Sequence, residues 1–290
     1  MRKANLILVI LAAVPFVHAQ DIQLPPTKDS VKFAVIGDNG TGDRREYQVA
    51  EKLNVARTTF PFQFVLMMGD NLYGEESPQD FEKKFAKPYK PLLDAGVKFY
   101  ATLGNHDDPA RQINYEKFNM GGKHYHTFKP KEGIRFFSLD SNYMDKRQLD
   151  WFETELKTSA SEWKIVYFHH PIYSSGEKHG SNLELRAAIE SLMVKYGVDV
   201  VMSGHEHFYE RIKPQKGIHY FIIGSSGQLR EGNIGKTELT VKGFDQDNVF
   251  MLAEIVGDDM FFQVISRTGK TVDLGSIKRA EKSSKATTSR

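Results

Sequence analysis

The sequence predicts a layered α/β fold, and two features of its patterning predict it. Short apolar runs alternate with segments of helical periodicity through most of the chain, the pattern of strands covered by helices. The last third changes to closely spaced apolar runs separated by glycine-containing turns. These read as antiparallel hairpins forming a second sheet packed on the first. A chain of 290 residues is long enough to bury a large core, and one substantial domain is expected.

Residues 1–20 stand apart. Arg2 and Lys3 precede an apolar stretch from Leu6 to Val17, and Ala19 offers a small residue before Gln20. This is the layout of a signal peptide cleaved after Ala19, so the protein is expected to be exported, periplasmic or secreted. An apolar run of roughly a dozen residues is shorter than the ~20 that a spanning helix needs. Residues 20–30 read as a polar linker, 31–277 as the folded domain and 278–290, basic and without periodicity, as a disordered tail.

Within the domain, "VKFAVIGDNG" reads as a buried strand running into a glycine turn. Val49, Leu53 and Ala56 share one face of the following helix. "FQFVLMMGDN", "VKFYATLGNHD", "IRFFSLD", "WKIVYFHHP" and "VDVVMSGHEH" read as further strands. Between them lie a polar helix through "SPQDFEKKFAKPYK", a helix in "DKRQLDWFETELK" and a strongly amphipathic one from Leu185 to Tyr196. Gly257-Asp258 and Thr268-Gly269 mark hairpin turns near the end.

Composition narrows the function. Apolar residues make up 40% and charged residues 26%, an ordinary globular balance. A net charge of +2, with no basic stripe interleaved with aromatics, predicts no nucleic-acid partner. There are no cysteines, so disulfides and thiolate metal sites are excluded and any metal must be held by oxygen and nitrogen.

Chemistry-bearing residues collect where the predicted strands end. Asp38, Asp70, Asn105 with His106, His169 with His170, and His205 with His207 each follow an apolar run. Ligands of open α/β sheets bind at the carboxyl ends of strands. Singly, each cluster is as readily an Asx turn or a satisfied histidine; five in order along one alternating pattern point to a shared pocket. Such oxygen and imidazole donors suit iron, zinc or manganese. Two aspartates, an asparagine and three histidines exceed one tetrahedral site, so two metals are expected. His205 and His207, two apart on an extended exit from a strand, are expected to aim into one volume, with Glu206 turned away toward solvent or a neighbouring loop.

The order of these motifs, from about Val31 to Glu210, resembles the calcineurin-like metallophosphoesterase superfamily. The histidine usually found two residues after the first aspartate is absent, since Gly40 stands there, while Tyr73 follows Asp70 by three. That exchange resembles the purple acid phosphatase branch, and the short stretch before Val31 resembles its small, single-domain, tartrate-resistant type. The resemblance implies two mixed sheets packed together and flanked by helices. It also implies a ferric site of Asp38, Asp70, Tyr73 and His207, and a divalent site (Fe2+, Zn2+ or Mn2+) of Asp70, Asn105, His169 and His205, with Asp70 bridging.

The implied activity is hydrolysis of small phosphomonoesters by a metal-bound hydroxide attacking phosphorus. His106 is the first candidate to orient phosphate or protonate the leaving group, and His170 and His179 are secondary candidates. A phosphodiesterase, a nucleotidase or a non-catalytic metal-binding protein remain alternatives with the same residues.

Overall fold

The computed structural model describes residues 21–159 and 162–279. The signal-peptide reading lies outside the described residues. Along the chain run β1 (Val31–Ile36), α1 (Arg44–Thr59), β2 (Phe64–Met67), the short α2 (Pro78–Phe81) and α3 (Lys90–Asp94), β3 (Lys98–Ala101) and α4 (Pro109–Gln112). Next come β4 (His126–Lys131), β5 (Ile134–Ser138), α5 (Lys146–Thr158), β6 (Trp163–Tyr167), α6 (Leu183–Lys195), β7 (Val200–Ser203), β8 (Tyr209–Gln215) and β9 (Ile218–Ile223). The chain ends in β10 (Thr240–Phe244), β11 (Val249–Val256), β12 (Asp259–Ser266) and β13 (Thr271–Lys278).

Two mixed sheets result. One has the order β13-β12-β11-β1-β2-β3 and the other β10-β8-β9-β7-β6-β5-β4. Strands β1, β2 and β3 are mutually parallel, as are β5, β6, β7 and β9. Period-2 geometry explains why these strands are apolar on both faces. In β1, Val31, Phe33 and Val35 enter the layer between the sheets, while Ala34 and Ile36 face α1 through Val49, Leu53 and Ala56.

Strand β6 does the same on the other side, with Trp163, Ile165 and Tyr167 inward and Val166 toward the core beneath α5 and α6. Phe33 stacks on Phe64 at 5.4 Å and meets Phe136 edge-on at 5.3 Å. Each such ring contributes on the order of 1.5–3 kcal/mol by leaving water.

Helix starts follow the sequence closely. Asp43 caps α1 by accepting from the Arg45 and Glu46 amides, and Asp145 and Asn182 cap α5 and α6. The expected polar helix over 77–90 is instead broken into α2, a π turn at Glu82–Ala86 and α3. Pro88 and Pro91 lack the amide hydrogens that a continuous helix would need.

The last third departs from a single antiparallel sheet. β9 and β10 join the second sheet, whereas β11, β12 and β13 extend the first through the antiparallel pair β1·β11. Lys278 pairs opposite Asp259 in β13 and the Arg279 amide donates to Asp258 O, so these two residues belong to the sheet rather than to a tail. Leu24, in the expected linker, is buried in the core under α1. Among the described residues no helix is long and apolar enough to cross a membrane.

Candidate metal centre

The parallel strands β1, β2, β3, β6 and β7 all end toward one place, and each is followed by ligand-type side chains. The first three come from one sheet and the last two from the other, so the pocket is built across both. Gly104 and Gly204 make the approach possible. A Cβ on Gly104 would lie 2.2 Å from Asp70 Oδ1, and one on Gly204 2.4 Å from Asp38 Oδ2. Any larger residue would push a carboxylate out of the pocket.

Two groups of donor atoms form. Asp38, Asp70 and His207 bring their ligand atoms within 4.8 Å of one another, and so do His169, His170 and His205. In the first group the Tyr73 hydroxyl lies 3.2 Å from both Asp38 Oδ1 and His207 Nε2, and His207 Nε2 is 3.3 Å from Asp38 Oδ1. In the second, His169 Nδ1 donates to Met68 O at 2.9 Å. That bond fixes the tautomer and leaves the Nε2 lone pair free. Around Nε2 stand Asn105 Oδ1 at 3.0 Å, His205 Nδ1 at 3.2 Å and Asp70 Oδ1 at 3.4 Å. Asp70 therefore touches both groups.

Every predicted site residue is gathered here. His106 is exposed, with its ring 4.9 Å from that of Tyr73, and its amide donates to Asp70 Oδ1 at 3.0 Å. His179 is exposed and His170 half-buried, their rings 4.4 and 4.5 Å from His205. Ser141 Oγ bonds His170 Nδ1 at 2.9 Å.

The route to this arrangement differs from the one expected for the last two histidines. β7 stops at Ser203 and His205 adopts φ 68°, so the two rings converge through a left-handed turn instead of an extended strand. The turn is held by the His205 amide donating to Asp38 Oδ2 at 2.9 Å. Asp38 and Asp70 occupy the same left-handed region, at φ 51° and 49°, a conformation aspartate tolerates better than most residues.

Electrostatics divides the pocket. Burial, then the Asp70 charge, pushes the Asp38 carboxyl well above the usual carboxylate range. Burial and then Asp38 and Asp70 drive the Tyr73 phenol far up. On the imidazole side burial holds His169 well below the ordinary histidine value, reinforced by His170, and His205 likewise, reinforced by His169. Burial and then the Arg230 charge bring His207 down to about 4. Acids that resist ionising and imidazoles that resist protonation are both relieved by cations among them. The donor set thus fits metal ions, and two donor groups sharing Asp70 fit a pair.

Several supporting residues escaped sequence reasoning. Asp107 accepts from the Asn71, Leu72 and Gly104 amides at 2.8, 3.1 and 2.7 Å, lashing the loop after β3 to the loop after β2. Its signal was the first aspartate of "GNHDD". Glu206 is fully buried, accepting from the Gly180 amide at 2.7 Å and Asn233 Nδ2 at 3.0 Å. Of the two expected directions for Glu206, it takes the neighbouring loop. Arg230, in the Gly/Ser-rich loop after β9, gave no signal of its own.

A family model for calcineurin-like phosphoesterases matches residues 31–209. The chain belongs to that family. It is a phosphoesterase and hence a hydrolase. Purple acid phosphatase 17 of Arabidopsis thaliana is 27% identical over 91% of this chain and 92% of its own. Tartrate-resistant acid phosphatase type 5 of Mus musculus is 24% identical over 86% and 91%. Among solved structures, GAP50, "the anchor in the inner membrane complex of Plasmodium", superposes with a TM-score of 0.77 at 18% identity, covering 88% of this chain and 91% of its own. The last likeness is one of fold.

Proposed function

We propose that this phosphoesterase is an exported acid phosphatase of the purple type, hydrolysing small phosphomonoesters at a pair of metal ions, one ferric and one divalent (iron, zinc or manganese). The observation that carries the reading is the Tyr73 hydroxyl 3.2 Å from both Asp38 and His207, beside a Gly40 that offers no imidazole. A phenol pressed among carboxylates ionises only beside a strong positive charge, which favours a trivalent ion on that side. The relatives' names support the phosphatase reading, and the sequence of residues 1–19 supports export.

Asp38, Asp70, Tyr73 and His207 would hold the ferric ion, and Asp70, Asn105, His169 and His205 the divalent one. Bound there, the cations supply Lewis acidity, which neutralises phosphoryl charge and lowers the pKa of water. The chain's own part is to orient and to move protons. Exposed His106, tied through its amide to Asp70, stands at the mouth where a leaving alkoxide takes a proton. His179 lies beside His205 on the other side, and His170, pinned by Ser141, keeps one ring nitrogen for phosphate or a ligand.

GAP50 carries the same fold as an anchor, so fold alone does not decide turnover; the converging donor set favours it. The test is the initial rate of phosphate release from an aryl phosphomonoester and its matching diester, at acid and neutral pH, with metal-replete protein. Faster monoester hydrolysis in acid is expected. Diester preference would move the function to phosphodiesterase, and inactivity on both with two metals bound would make the protein non-catalytic.

A further inference from the structure

Glu206 sits between two expected metal ligands, yet its carboxylate turns away from them and binds two loops. One is 176–180, through the Gly180 amide at 2.7 Å, and the other is 230–233, through Asn233 Nδ2 at 3.0 Å. A Cβ on Gly176 would lie 2.1 Å from Glu206 Oε1, so the first loop is packed directly on the carboxylate. The loops carry Lys178 and His179, and Arg230. The His179 ring is 4.4 Å from that of His205, and the Arg230 amide donates to His207 O at 2.9 Å. One buried acid therefore sets two cationic residues at the rim of the metal centre.

Arg230 is not consumed by this arrangement. Its Nη1 is 3.9 Å from Glu206 Oε2, too long for a hydrogen bond, and the side chain is only 24% exposed. Nη1 itself is shielded and has no acceptor among the described residues. With Nη1 turned inward, the exposed part of the side chain lies on its other atoms, and Arg230 keeps that part for an incoming anion. Guanidinium forks match carboxylate and phosphate oxygens, and such contacts are stronger than neutral ones.

We propose that Arg230, on one of the two loops that Glu206 holds, with Lys178 on the other, is a specificity-determining residue that binds an anionic group on the leaving part of the substrate. The preferred substrates are then phosphate esters or anhydrides whose leaving group bears its own phosphate or carboxylate. The transferred phosphoryl group belongs to the metal centre, and the second anion belongs to the rim. This inference rests on the phosphatase reading.

The experiment compares kcat/KM for inorganic pyrophosphate and for phenyl phosphate in metal-replete wild type, Arg230→Gln and Arg230→Lys, with metal content and melting temperature as controls. The ratio between substrates cancels their intrinsic reactivities. Arg230→Gln is expected to lower the pyrophosphate-to-phenyl phosphate ratio by about tenfold or more, mostly through KM. Arg230→Lys, which keeps the charge and loses the fork, should lower it less and still carries the test should the Gln variant fail to fold. A ratio unchanged in the variants, whether both substrates suffer equally or neither does, overturns the inference alone. Wild-type protein that turns over neither substrate removes the phosphatase reading and this inference with it.

Discussion

The two halves of the pocket are both buried, yet they respond to burial in opposite senses. Asp38 and Tyr73 have their acid groups pushed up; His169 and His205 have theirs pushed down, and His207, the one imidazole on the acid side, moves down with them. Each half moves toward its neutral form because an unpaired charge is costly away from water. For the acids, neutrality means holding a proton, and for the imidazoles it means losing one. The difference teaches what each half lacks: the acids want positive charge close by, and the neutral imidazoles want an electron-pair acceptor. Under the proposed assignment, a phenol and two carboxylates would compensate the ferric ion, and neutral imidazoles and an amide would suit the divalent one.

Asp70 is where the comparison breaks most sharply, because it touches both halves. Asp70→Asn is expected to lower kcat by on the order of a thousandfold or more and to reduce metal content on both sides. Steady-state rates with metal analysis check this. Loss of one metal with the other retained would show that Asp70 is not shared.

Acid titration comes next, with His126 as a histidine outside the pocket. Burial lowers it from 6.5 to about 4. The unfolded chain then binds the extra proton first, so this contribution to stability is fully present above about 6.5 and lost as pH falls through 4. It amounts to about 3 kcal/mol. His126→Asn should remove that part of the acid sensitivity in denaturant unfolding between those pH values; an unchanged pH profile would refute the burial argument.

Asp38 should behave with the opposite sign. Its folded pKa is raised, so in metal-free protein its contribution is fully present below 3.8 and is lost as pH rises through the folded value. Asp38→Asn is therefore expected to stabilise the metal-free form at neutral pH by about 1–3 kcal/mol while weakening metal binding. Chemical unfolding with and without chelator measures both, and destabilisation of the metal-free form would count against a buried, repelled carboxylate.

The smallest change in rate is expected from Tyr73→Phe. A visible tyrosinate-to-iron absorption should vanish while kcat stays within about tenfold of wild type. Colour that survives the substitution would take Tyr73 out of the ligand set.

Much of the pocket was legible because burial on both faces turns the parallel strands into apolar runs, and the first polar residue after each run marks its end. Asp38, Asp70, Asn105, His169 and His205 announce themselves in that way. Strands β4, β8 and β10 did not, since their faces are partly exposed and Pro130, Pro214 and Gly243 interrupt them. Hairpin signals at Gly257-Asp258 and Thr268-Gly269 correctly joined neighbours. They carry no information on which sheet the set would extend, because that depends on the long-range pairing of β11 with β1. The left-handed turn at His205 was equally hidden, being imposed by Asp38 from 167 residues away.

The centre also has a mechanical meaning. Asp38, Asp70, Tyr73 and Asn105 ride on one sheet, and His169, His205 and His207 on the other, so ions held among them would act as a rivet through the seam of a two-leaved body. Pulling the leaves apart should then require breaking coordination bonds before the greasy layer between them can open. Loaded and chelated protein would yield at different forces.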